Sequence, residues 1–493
     1  MASVTLRGVE GLEITVHTQL FIDNEFVQAT TGATLDVENP STAAHLATVS
    51  AAQKEDVERA VSSSKKAFGT WKKASPTTRR ALLQKLADLV ERDGTQLASL
   101  EALEGGVLYR DSLSLHVAQS VENLRYFAGW ADKLDGATMS IPEGLGYTRR
   151  EPIGVCAAIV PWNSFLPRMI FFWKLAPAIA AGNTLVVKTP EPTPLWGQKI
   201  AELVREAGFP PGVINVITGL GSVTGQALAE HVDVKKISFT GSTATGRRVL
   251  QAAALSNLKK VTLELGGKGP SIIFEDADWE NALFWTTLGI TASNGQVCAA
   301  GSRIYVQDSI YERFLEEFSK RSRDAIHGDP LLPETTKGAV ASKDQLTRIL
   351  SYVEKGKHSG ARLLHGGERL PGDGHFVANT AFADVKQDNA IMREEVFGPF
   401  ASIAPFTSEQ EVIEKANDSN YGLNSAVFTN DISRAMRVSE AMETGTVTVN
   451  CWGLVHANTP FGGVKQSGFG RDMGHEALEN WTVTKTVKVH VLK

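Results

Sequence analysis

The chain contains only three cysteines, Cys156, Cys298 and Cys451, in 493 residues. Three cysteines cannot build the disulfide framework that stabilises small secreted proteins, so we expect a reducing compartment and predict a cytoplasmic protein. No run approaches the eighteen apolar residues of a membrane-spanning helix. Charged residues interrupt the first fourteen positions, which a secretory signal would keep apolar.

The chain also lacks any large excess of charge. Its 50 Lys and Arg residues nearly balance 55 Asp and Glu residues, which leaves a net charge of −5. This composition argues against nucleic acid or an anionic membrane as a partner. A length of 493 residues with 42% hydrophobic content is typical of a globular enzyme of two or three domains. We find no internal repeats or low-complexity tracts.

The periodicity of apolar residues predicts an α/β fold. Residues 20–27 indicate two short strands about an Asp-Asn turn. Helical patterns cover residues 55–68, 77–92 and 113–134. From residue 155 onwards strands alternate with helices, which favours βαβ units and a mostly parallel sheet. The predicted strands of this set are 155–160, 184–188, 213–217, 236–240 and 261–265, and the predicted helices are 195–207 and 223–231.

A second alternating set begins near residue 270 and predicts a second α/β domain over residues 266–465. Its strands are predicted at 271–274, 303–306 and 445–450, and a strongly amphipathic helix at 309–326.

Two segments lie outside both sets. Residues 138–152 are punctuated by glycine and proline around a β-prone centre, which indicates an excursion from the first domain. At the other end of the sequence, alternating valines from Val483 to Val491 predict a strand. Because such a strand would be a sticky edge if left unpaired, we expect it to pair with another subunit or with the 138–152 excursion.

Two glycine-rich loops each follow a predicted strand and open a helix. Residues 219–225 contain Gly221 and Gly225, with a spacing one residue longer than the usual dinucleotide fingerprint. Residues 239–246 contain Gly241 and Ser242 in front of a helix N-terminus, which could hold a phosphate. For each loop alone, an ordinary helix-start turn is about as good an interpretation.

A third candidate for cofactor binding lies at residues 188–191, at the end of the strand that begins at residue 184. Ligands bind at such carboxyl ends in doubly wound sheets. Glu191 could accept hydrogen bonds from ribose hydroxyls and repel a 2′-phosphate, which favours NAD over NADP. The alternative is a solvated Lys188 and Glu191 pair at a strand end.

The candidate chemistry lies in three short segments. Cys298 is surrounded by small residues, which would let other groups approach its sulfur, although an isolated cysteine is more often a small buried hydrophobe. Glu264 ends an apolar strand, where carboxylates rarely lie without a role or a partner. Asn163 follows the strand at 155–160, where its amide could stabilise an oxyanion or form a turn.

A further pair of residues follows the acidic stretch at 394–395. Glu395 could hold a ribose, and Phe397 could lie against a nicotinamide ring. The alternative is a surface carboxylate followed by a packing phenylalanine. No metal site is expected from the sequence.

Taken together these segments resemble the aldehyde dehydrogenase superfamily over nearly the whole chain. The motifs that carry the resemblance are Pro161-Trp162-Asn163, Lys188 to Glu191, Phe239 to Gly246, Glu264 to Lys268, Gly295 to Cys298, Glu395 to Pro399 and Pro460 to Gly463. The resemblance implies a Rossmann-like NAD-binding domain (1–137 and 153–265), an α/β catalytic domain (266–465) and a small β oligomerisation element (138–152 and 480–493). It also implies a homodimer or homotetramer.

The same resemblance implies NAD-dependent oxidation of a small-molecule aldehyde to its carboxylic acid. Cys298 would be the nucleophile and form a thiohemiacetal and then a thioester, Asn163 would stabilise the oxyanion, and Glu264 would activate water. The residues implied to bind NAD are Trp162, Lys188, Glu191, Gly221, Gly225, Phe239, Gly241, Ser242, Leu265, Gln345, Glu395 and Phe397. Because Glu264 is present, hydrolysis is favoured over acyl transfer to coenzyme A.

The sequence departs from the family pattern after Asn163. The run to Lys174 is two residues longer than usual. This extra length falls beside the oxyanion amide and the substrate tunnel, and it weakens the transfer of tunnel residues by position.

The expected substrate pocket is apolar and partly aromatic, which favours hydrophobic aldehydes. The stretches 236–246 and 296–300 look most like those of phenylacetaldehyde dehydrogenases. Aliphatic or betaine-type aldehydes, a coenzyme-A-acylating enzyme and a non-enzymatic NAD-binding protein are the alternatives. The residues expected to line the pocket are Phe165, Met169, Phe172, Trp173, Val297, Trp452, Val455 and Phe461.

Overall fold

The computed structural model describes residues 2–142, 144–163 and 167–491. Within these ranges the strands are β1 (Ser3–Arg7), β2 (Glu13–His17), β3 (Leu20–Ile22), β4 (Glu25–Val27), β5 (Thr34–Asn39), β6 (Ala44–Ser50), β7 (Thr138–Ile141), β8 (Gly144–Pro152), β9 (Val155–Ile159), β10 (Thr184–Thr189), β11 (Ile214–Thr218), β12 (Lys236–Thr240), β13 (Lys260–Glu264), β14 (Pro270–Ile273), β15 (Arg303–Gln307), β16 (Arg362–His365), β17 (Thr380–Ala383), β18 (Phe400–Phe406), β19 (Tyr421–Gly422), β20 (Asn424–Phe428), β21 (Thr446–Val449), β22 (Val464–Lys465), β23 (Gly468–Phe469) and β24 (Thr482–His490).

The α-helices of the same ranges are α1 (Lys54–Trp71), α2 (Pro76–Arg92), α3 (Gly94–Gly105), α4 (Tyr109–Asp111), α5 (Ala118–Trp130), α6 (Pro167–Ala180), α7 (Leu195–Ala207), α8 (Gln226–Glu230), α9 (Thr243–Ser256), α10 (Trp279–Thr291), α11 (Tyr311–Arg323), α12 (Lys343–His358), α13 (Ala390–Arg393), α14 (Glu409–Asn417), α15 (Ile432–Ala441) and α16 (Glu476–Asn480). Short 3₁₀ turns lie at Val9–Gly11, Ala292–Gly295 and Asp308–Ile310, and π-helical turns at Ser112–Val117 and Gly221–Gly225.

The first sheet has the order β23-β13-β12-β9-β10-β11-β3-β4. Its five central strands, β13, β12, β9, β10 and β11, run parallel, whereas β23 and β3 pair antiparallel at the two sides. The chain order of those five strands is that of a doubly wound nucleotide-binding fold. Its switch point lies between β9 and β12, where ligands bind beyond the carboxyl ends of the strands.

Helices cover this sheet, and the composition of its strands reflects that burial. All five residues of β9 are buried, and the same holds for β11 and β12. Strands buried on both faces are nearly continuous apolar runs and do not alternate, which is why the sequence indicated them clearly.

The second sheet has the order β16-β17-β18-β15-β14-β20-β21. Its strands are parallel except for β16, which pairs antiparallel with β17. These two mostly parallel sheets confirm the predicted α/β class with two alternating strand and helix sets.

A third sheet joins distant parts of the chain. Strand β24 pairs antiparallel with β8 over nine residue pairs, from Thr482 opposite Pro152 to His490 opposite Gly144, and β7 lies on the other side of β8. The prediction that the late strand pairs with the 138–152 excursion is therefore confirmed for this pairing. The domain boundaries themselves and the oligomerisation role stay predictions.

Three helical predictions differ from the structure. Helix α3 was not predicted, because its residues 97–105 are all buried and leave no amphipathic stripe. The helix predicted at 113–134 begins as the π turn and ends at Trp130, where the Lys133 ammonium binds the Gly129 carbonyl. The helix predicted at 309–326 is shorter, and its regular part is α11.

In the part of the chain that the structure describes, no helix is both long and apolar enough to cross a membrane.

Candidate active site

A cavity of about 240 Å³ opens at the carboxyl ends of β9, β12 and β13, at the switch point of the first sheet. We call it the active-site cavity. It brings together most of the residues that the sequence singled out for chemistry and for the nicotinamide side of a cofactor. Its lining consists of Pro161, Trp162, Asn163, Thr240, Gly241, Ser242, Glu264, Leu265, Gly266, Cys298, Gln345, Arg348, Glu395 and Phe397.

Cys298 lies in a turn between α10 and β15 and is half-buried. The backbone that leads to it is unusual, because Ser293 and Asn294 both have positive φ angles of 46° and 59°. The Asn294 side chain stabilises this path by donating hydrogen bonds to the carbonyls of Gly338 (3.1 Å) and Ala339 (3.0 Å). The position of the sulfur therefore depends on the segment before α12.

The surroundings of Cys298 oppose ionisation of its thiol. Burial, followed by the carboxylates of Glu264 and Glu395, raises its pKa to about 12, while the backbone N–H groups of Ala299 and Cys298 act in the opposite direction. At neutral pH and without further ligands the sulfur is protonated. A base or a change of electrostatic environment is needed to generate the thiolate nucleophile.

Glu264 is the last residue of β13 and is 6% exposed. Among the described residues no group donates a hydrogen bond to its Oε2 atom. Burial, followed by the charge of Asp472, raises its pKa well above the usual range, whereas Lys174 and Arg471 oppose that shift. A carboxyl group with a raised pKa in a cleft is a candidate general base.

Behind Glu264 lies a buried ion pair that the sequence reasoning missed. The Lys174 ammonium contacts the Asp472 carboxylate, and the two side chains are 1% and 5% exposed. Lys174 is the only charged residue between Met169 and Ala180 of an otherwise apolar α6. A lone charge in such a helix was the available signal, because a buried ammonium requires a partner.

Asn163 is buried, as expected, but one of its amide hydrogens is already engaged. Its Nδ2 atom donates a hydrogen bond of 3.1 Å to the carbonyl of Gln296, two residues before Cys298. A primary amide has two N–H groups, so a second donor remains for a ligand oxygen. This bond joins the predicted oxyanion amide to the turn of the nucleophile.

Glu191 and Lys188 form a contact at the end of β10. The Lys188 ammonium, 2% exposed, lies 3.2 Å from one Glu191 oxygen and also donates to the Thr189 carbonyl. The other Glu191 oxygen accepts a hydrogen bond from the backbone N–H of Gly221. Burial lowers the pKa of Lys188. The three predicted residues thus meet, and they place a carboxylate beside the first glycine loop.

The other side of the cavity is held by Glu395. Its Oε1 atom accepts a hydrogen bond of 3.0 Å from the Gly267 N–H, and burial raises its pKa to about 7. Arg348, which was not predicted, donates to the Glu395 backbone carbonyl at 2.7 Å. It lies one helical turn after Gln345 on α12, and this i, i+3 spacing was the signal that could have found it.

Two aromatic rings close this side. Trp162 and Phe397 meet edge to face at 5.5 Å between centroids, and the Gln345 amide donates to the Phe397 carbonyl. Phe397 has a positive φ of 63°. Such a conformation is rare for a bulky residue and is found mainly where function imposes it.

These residues suit a dinucleotide. Glu191 and Glu395 offer carboxylate acceptors for ribose hydroxyls. The buried Oγ1 atom of Thr240, which has no hydrogen-bond partner among the described residues, lines the active-site cavity together with Glu395. Phe239 and Leu265 are buried next to the cavity. Ser242 caps α9 and accepts from the Thr245 N–H at 3.3 Å, so this helix N-terminus adjoins the cavity.

The apolar residues predicted for the substrate are only partly brought together. A second cavity of about 30 Å³, which we call the apolar cavity, is lined by Trp173, Val297, Ala299, Asn424, Thr446, Thr448, Trp452, Gly453, Leu454, Val455 and Phe461. The rings of Trp173 and Phe461 are 5.4 Å apart, and the Trp452 indole donates to the Ala299 carbonyl at 2.8 Å. This cavity therefore adjoins Cys298 along the chain.

Two of the predicted pocket residues lie elsewhere. Met169 and Phe172 are buried in the core, and neither lines the apolar cavity of the described chain. Phe172 packs edge to face on Phe171. Phe165, which was also predicted to line the pocket, lies outside the described residues. The described residues also contain no cluster of three or more metal-ligating side chains.

Residues 26–487 match the model of the Aldehyde dehydrogenase family. Over 493 residues the chain is 46% identical to an aldehyde dehydrogenase of Alternaria alternata, with 100% of this chain and 99% of that protein covered. It is 44% identical to retinal dehydrogenase 2 of Gallus gallus, over 100% of this chain and 95% of the relative. The NAD⁺ complex of an aldehyde dehydrogenase from Bacillus cereus superimposes with a TM-score of 0.95 at 44% identity, covering 96% and 97% of the two chains.

Proposed function

The chain belongs to the aldehyde dehydrogenase family, and we propose that it oxidises a hydrophobic aldehyde of the phenylacetaldehyde type to its carboxylic acid. Members of this family are NAD-dependent oxidoreductases, and NAD is the cofactor of this chain. One observation carries the proposed mechanism: Cys298, Glu264 and Asn163 line the same cavity as the nicotinamide-side residues.

In the first step the Cys298 sulfur attacks the carbonyl carbon and forms a thiohemiacetal. The thiol proton must be transferred to a base, because the pKa of Cys298 is about 12 in the free enzyme. The Glu264 carboxylate, which lines the same cavity, accepts this proton and releases it to solvent before the last step. The backbone N–H of Cys298 and the second N–H of Asn163 are the donors for the developing oxyanion. The hydrogen bond from the Asn163 amide to the Gln296 carbonyl connects the oxyanion donor to the turn that carries Cys298.

NAD, when bound, supplies the acceptor for the hydride that leaves the carbonyl carbon. We assign the adenosine ribose of NAD to Glu191 and Lys188, which lie beside the loop that contains Gly221 and Gly225. We assign its nicotinamide ribose to Glu395. Trp162, Phe397 and Gln345 shape the wall on that side. Phe239, Gly241, Ser242 and Leu265 form the wall beneath it.

In the last step the resulting thioester is hydrolysed. Glu264 accepts a proton from water as the water oxygen attacks the acyl carbon, and the Cys298 sulfur leaves and is restored. Burial suits Glu264 to this task, because a carboxyl with a raised pKa accepts a proton more readily. The buried ion pair of Lys174 and Asp472 determines the charge behind Glu264.

The apolar cavity supports the choice of substrate. Its aromatic walls and its lack of charged side chains among the described lining favour an apolar group. An arene needs a space of about 150 Å³, so the wall must open. Leu454 is a lining side chain that is 52% exposed, and we propose that it moves. The Gallus gallus relative is a retinal dehydrogenase, and retinal is an apolar aldehyde.

We further propose that β24 and the excursion at 138–152 form an oligomerisation element for a homodimer or homotetramer, beside an NAD-binding unit (1–137 and 153–265) and a catalytic unit (266–465). Although the strand pairs with β8, Val483, Val489 and Val491 are 43–59% exposed in the single chain. An exposed apolar edge of this kind is covered by a partner in stable proteins.

The decisive experiment follows NADH at 340 nm with phenylacetaldehyde, benzaldehyde, hexanal and betaine aldehyde. We expect phenylacetaldehyde to give the highest kcat/KM. A preference for hexanal or betaine aldehyde would keep the mechanism and discard the aromatic assignment, whereas acyl-CoA as product would require another role for Glu264.

The variant Cys298→Ala tests the mechanism itself. We expect it to abolish aldehyde-dependent NADH formation while NAD binding, measured by fluorescence, is retained. Cys451→Ala is the matched control, because this cysteine is also half-buried and lies outside the active-site cavity. Turnover by Cys298→Ala, or its absence in the wild type with every aldehyde, would contradict the proposal.

A further inference from the structure

A separate cavity of about 320 Å³, which we call the rear cavity, lies behind the turn that carries Cys298. Its lining consists of Gly106, Val107, Leu108, Arg110, Asp111, Leu288, Thr291, Ala292, Ser293, Asn294, Arg321, Ser322, Asp324, Ala325, Thr336, Lys337, Gly338 and Asn379. None of these residues lines the active-site cavity or the apolar cavity. The catalytic mechanism does not use them.

Lys337 is the residue of this lining that most needs a partner. It is 4% exposed, and among the described residues no group accepts a hydrogen bond from its Nζ atom. Burial without any opposing charge lowers its pKa well below the usual range. A buried amine without a hydrogen-bond partner is unfavourable, and more so when it carries a charge. An anionic ligand would remove that cost.

A second orphaned group lines the same cavity. The Oδ1 atom of Asn379 is buried and has no partner in the described chain, while its Nδ2 atom donates to the Ser322 carbonyl at 2.7 Å. The rear cavity thus offers a cationic donor in Lys337 and an amide acceptor in Asn379. Two unsatisfied polar groups in one cavity are uncommon in native proteins, and they indicate a place where a ligand or water binds.

Three of the five charged side chains of the lining have an ion-pair partner. The five are Arg110, Asp111, Arg321, Asp324 and Lys337. Arg110 lies 3.6 Å from Asp111, and Arg321 is paired with Glu280 outside the cavity. Lys337 is therefore the cation without a carboxylate of its own among the described residues.

Part of the remaining wall is apolar. Val107, Leu108, Leu288, Ala292 and Ala325 line the cavity around the polar groups. A space of about 150 Å³ accommodates benzene, so the rear cavity has room for an aryl or short alkyl group with a charged end.

We propose that the rear cavity is a second binding site for a small monocarboxylate with an apolar body, held through Lys337. This ligand belongs to the same chemical class as the acid of the proposed reaction, and in that respect the inference extends the proposed function. The carboxylate makes the ion pair with Lys337, the Asn379 oxygen accepts a hydrogen bond from a water, and the apolar body contacts the aliphatic walls.

The site has a direct route to the nucleophile. Gly338, the neighbour of Lys337, accepts a hydrogen bond from Asn294, and the Ala341 N–H donates to the Gln296 side chain at 3.0 Å. A Cβ at Gly338 would lie 1.9 Å from the Gly106 carbonyl oxygen, so this segment is tightly packed and cannot shift alone. Occupation of the rear cavity therefore acts on the turn of Cys298, and we expect it to change kcat.

The test counts the sites for phenylacetate on the NAD-loaded enzyme by equilibrium dialysis. We compare the wild type with Lys337→Met, which keeps the length of the side chain and removes the amine. Lys343→Met is the matched control, because Lys343 is exposed six residues further along the chain. Ala325→Phe fills the cavity from another wall and keeps Lys337, so it covers a possible folding defect of Lys337→Met.

We expect the wild type and Lys343→Met to bind one more phenylacetate per chain than Lys337→Met and Ala325→Phe, and phenylacetamide to lack that extra site. We also expect the part of phenylacetate inhibition that lowers kcat to disappear in both cavity variants. Equal counts in all four proteins, or equal binding of the amide, would overturn the inference and leave water as the occupant. The number of bound phenylacetate molecules is measured without turnover, so the result can be interpreted even if the proposed function is wrong.

Discussion

The choice between NAD and NADP rests on one carboxylate, and Glu191→Gln tests it. In the structure one Glu191 oxygen accepts from the Gly221 N–H and the other lies 3.2 Å from the Lys188 ammonium. Glutamine keeps the size of the side chain and one acceptor oxygen but removes the charge. The variant therefore isolates the electrostatic contribution from the shape of the site.

The expected magnitude follows from Coulomb's law. A carboxylate about 5.5 Å from a 2′-phosphate of charge about −2 is repelled by about 1.5 kcal/mol at the dielectric constant of water, and by more inside a protein. The Glu191 side chain is 35% exposed, so we use the repulsion energy calculated with the dielectric constant of water. The hydrogen bond from a ribose hydroxyl to a neutral acceptor is weaker by about 1 kcal/mol. The sum, about 2.5 kcal/mol, corresponds to a change of about 70-fold.

The assay measures kcat/KM for NAD⁺ and NADP⁺ with the same aldehyde at fixed ionic strength. We expect the ratio of NADP⁺ to NAD⁺ to rise by about 70-fold in Glu191→Gln, mostly through the gain with NADP⁺. Glu230→Gln, an exposed carboxylate at the end of α8, is the control for net charge. A ratio that changes no more than in this control would refute the role of Glu191.

Two further predictions concern Glu264. Asp472→Asn removes the charge that, after burial, contributes most to the raised pKa of Glu264. We therefore expect this pKa to fall and the acidic limb of the pH profile of thioester hydrolysis, measured in single turnovers, to move to lower pH. A shift to higher pH would contradict the assignment. Gly462→Ala places a Cβ 2.7 Å from a Glu264 oxygen and 2.6 Å from the Gly470 carbonyl oxygen. We therefore expect thioester hydrolysis to slow about tenfold or more, while the affinity for NAD is retained. Unchanged hydrolysis in rapid-quench experiments would argue against a fixed position of Glu264.

The meeting of Glu264 and Asn163 in one cavity was predictable from the sequence because each follows a local pattern. Glu264 ends a strand that alternates with helices on either side, and Asn163 follows the strand that ends at Ile159. The carboxyl ends of parallel strands meet at one edge of the sheet, so these two side chains come together there. Cys298 lies instead in a turn before β15, and its place in the same cavity depends on the tertiary structure.

The electrostatic support of the site was not predictable in the same way. Lys174 and Asp472 are 298 residues apart in the chain, and only the tertiary structure brings them together. Helix α3 escaped prediction because a helix that is buried all round shows no stripe of apolar residues. The limits of the apolar cavity depend on side-chain packing, which spacing alone does not encode.

The sheet formed by β24, β8 and β7 has a consequence for the order in which the chain is made. Strand β8 ends at residue 152 and its partner β24 begins at residue 482, so 330 residues must be added between them. At roughly 5–20 residues per second, the ribosome needs roughly 15–70 s for that stretch. During this time β8 pairs only with β7 and offers an open edge to other nascent chains. Chaperone contact in that interval, and aggregation of chains truncated before residue 482, follow from the position of a single strand.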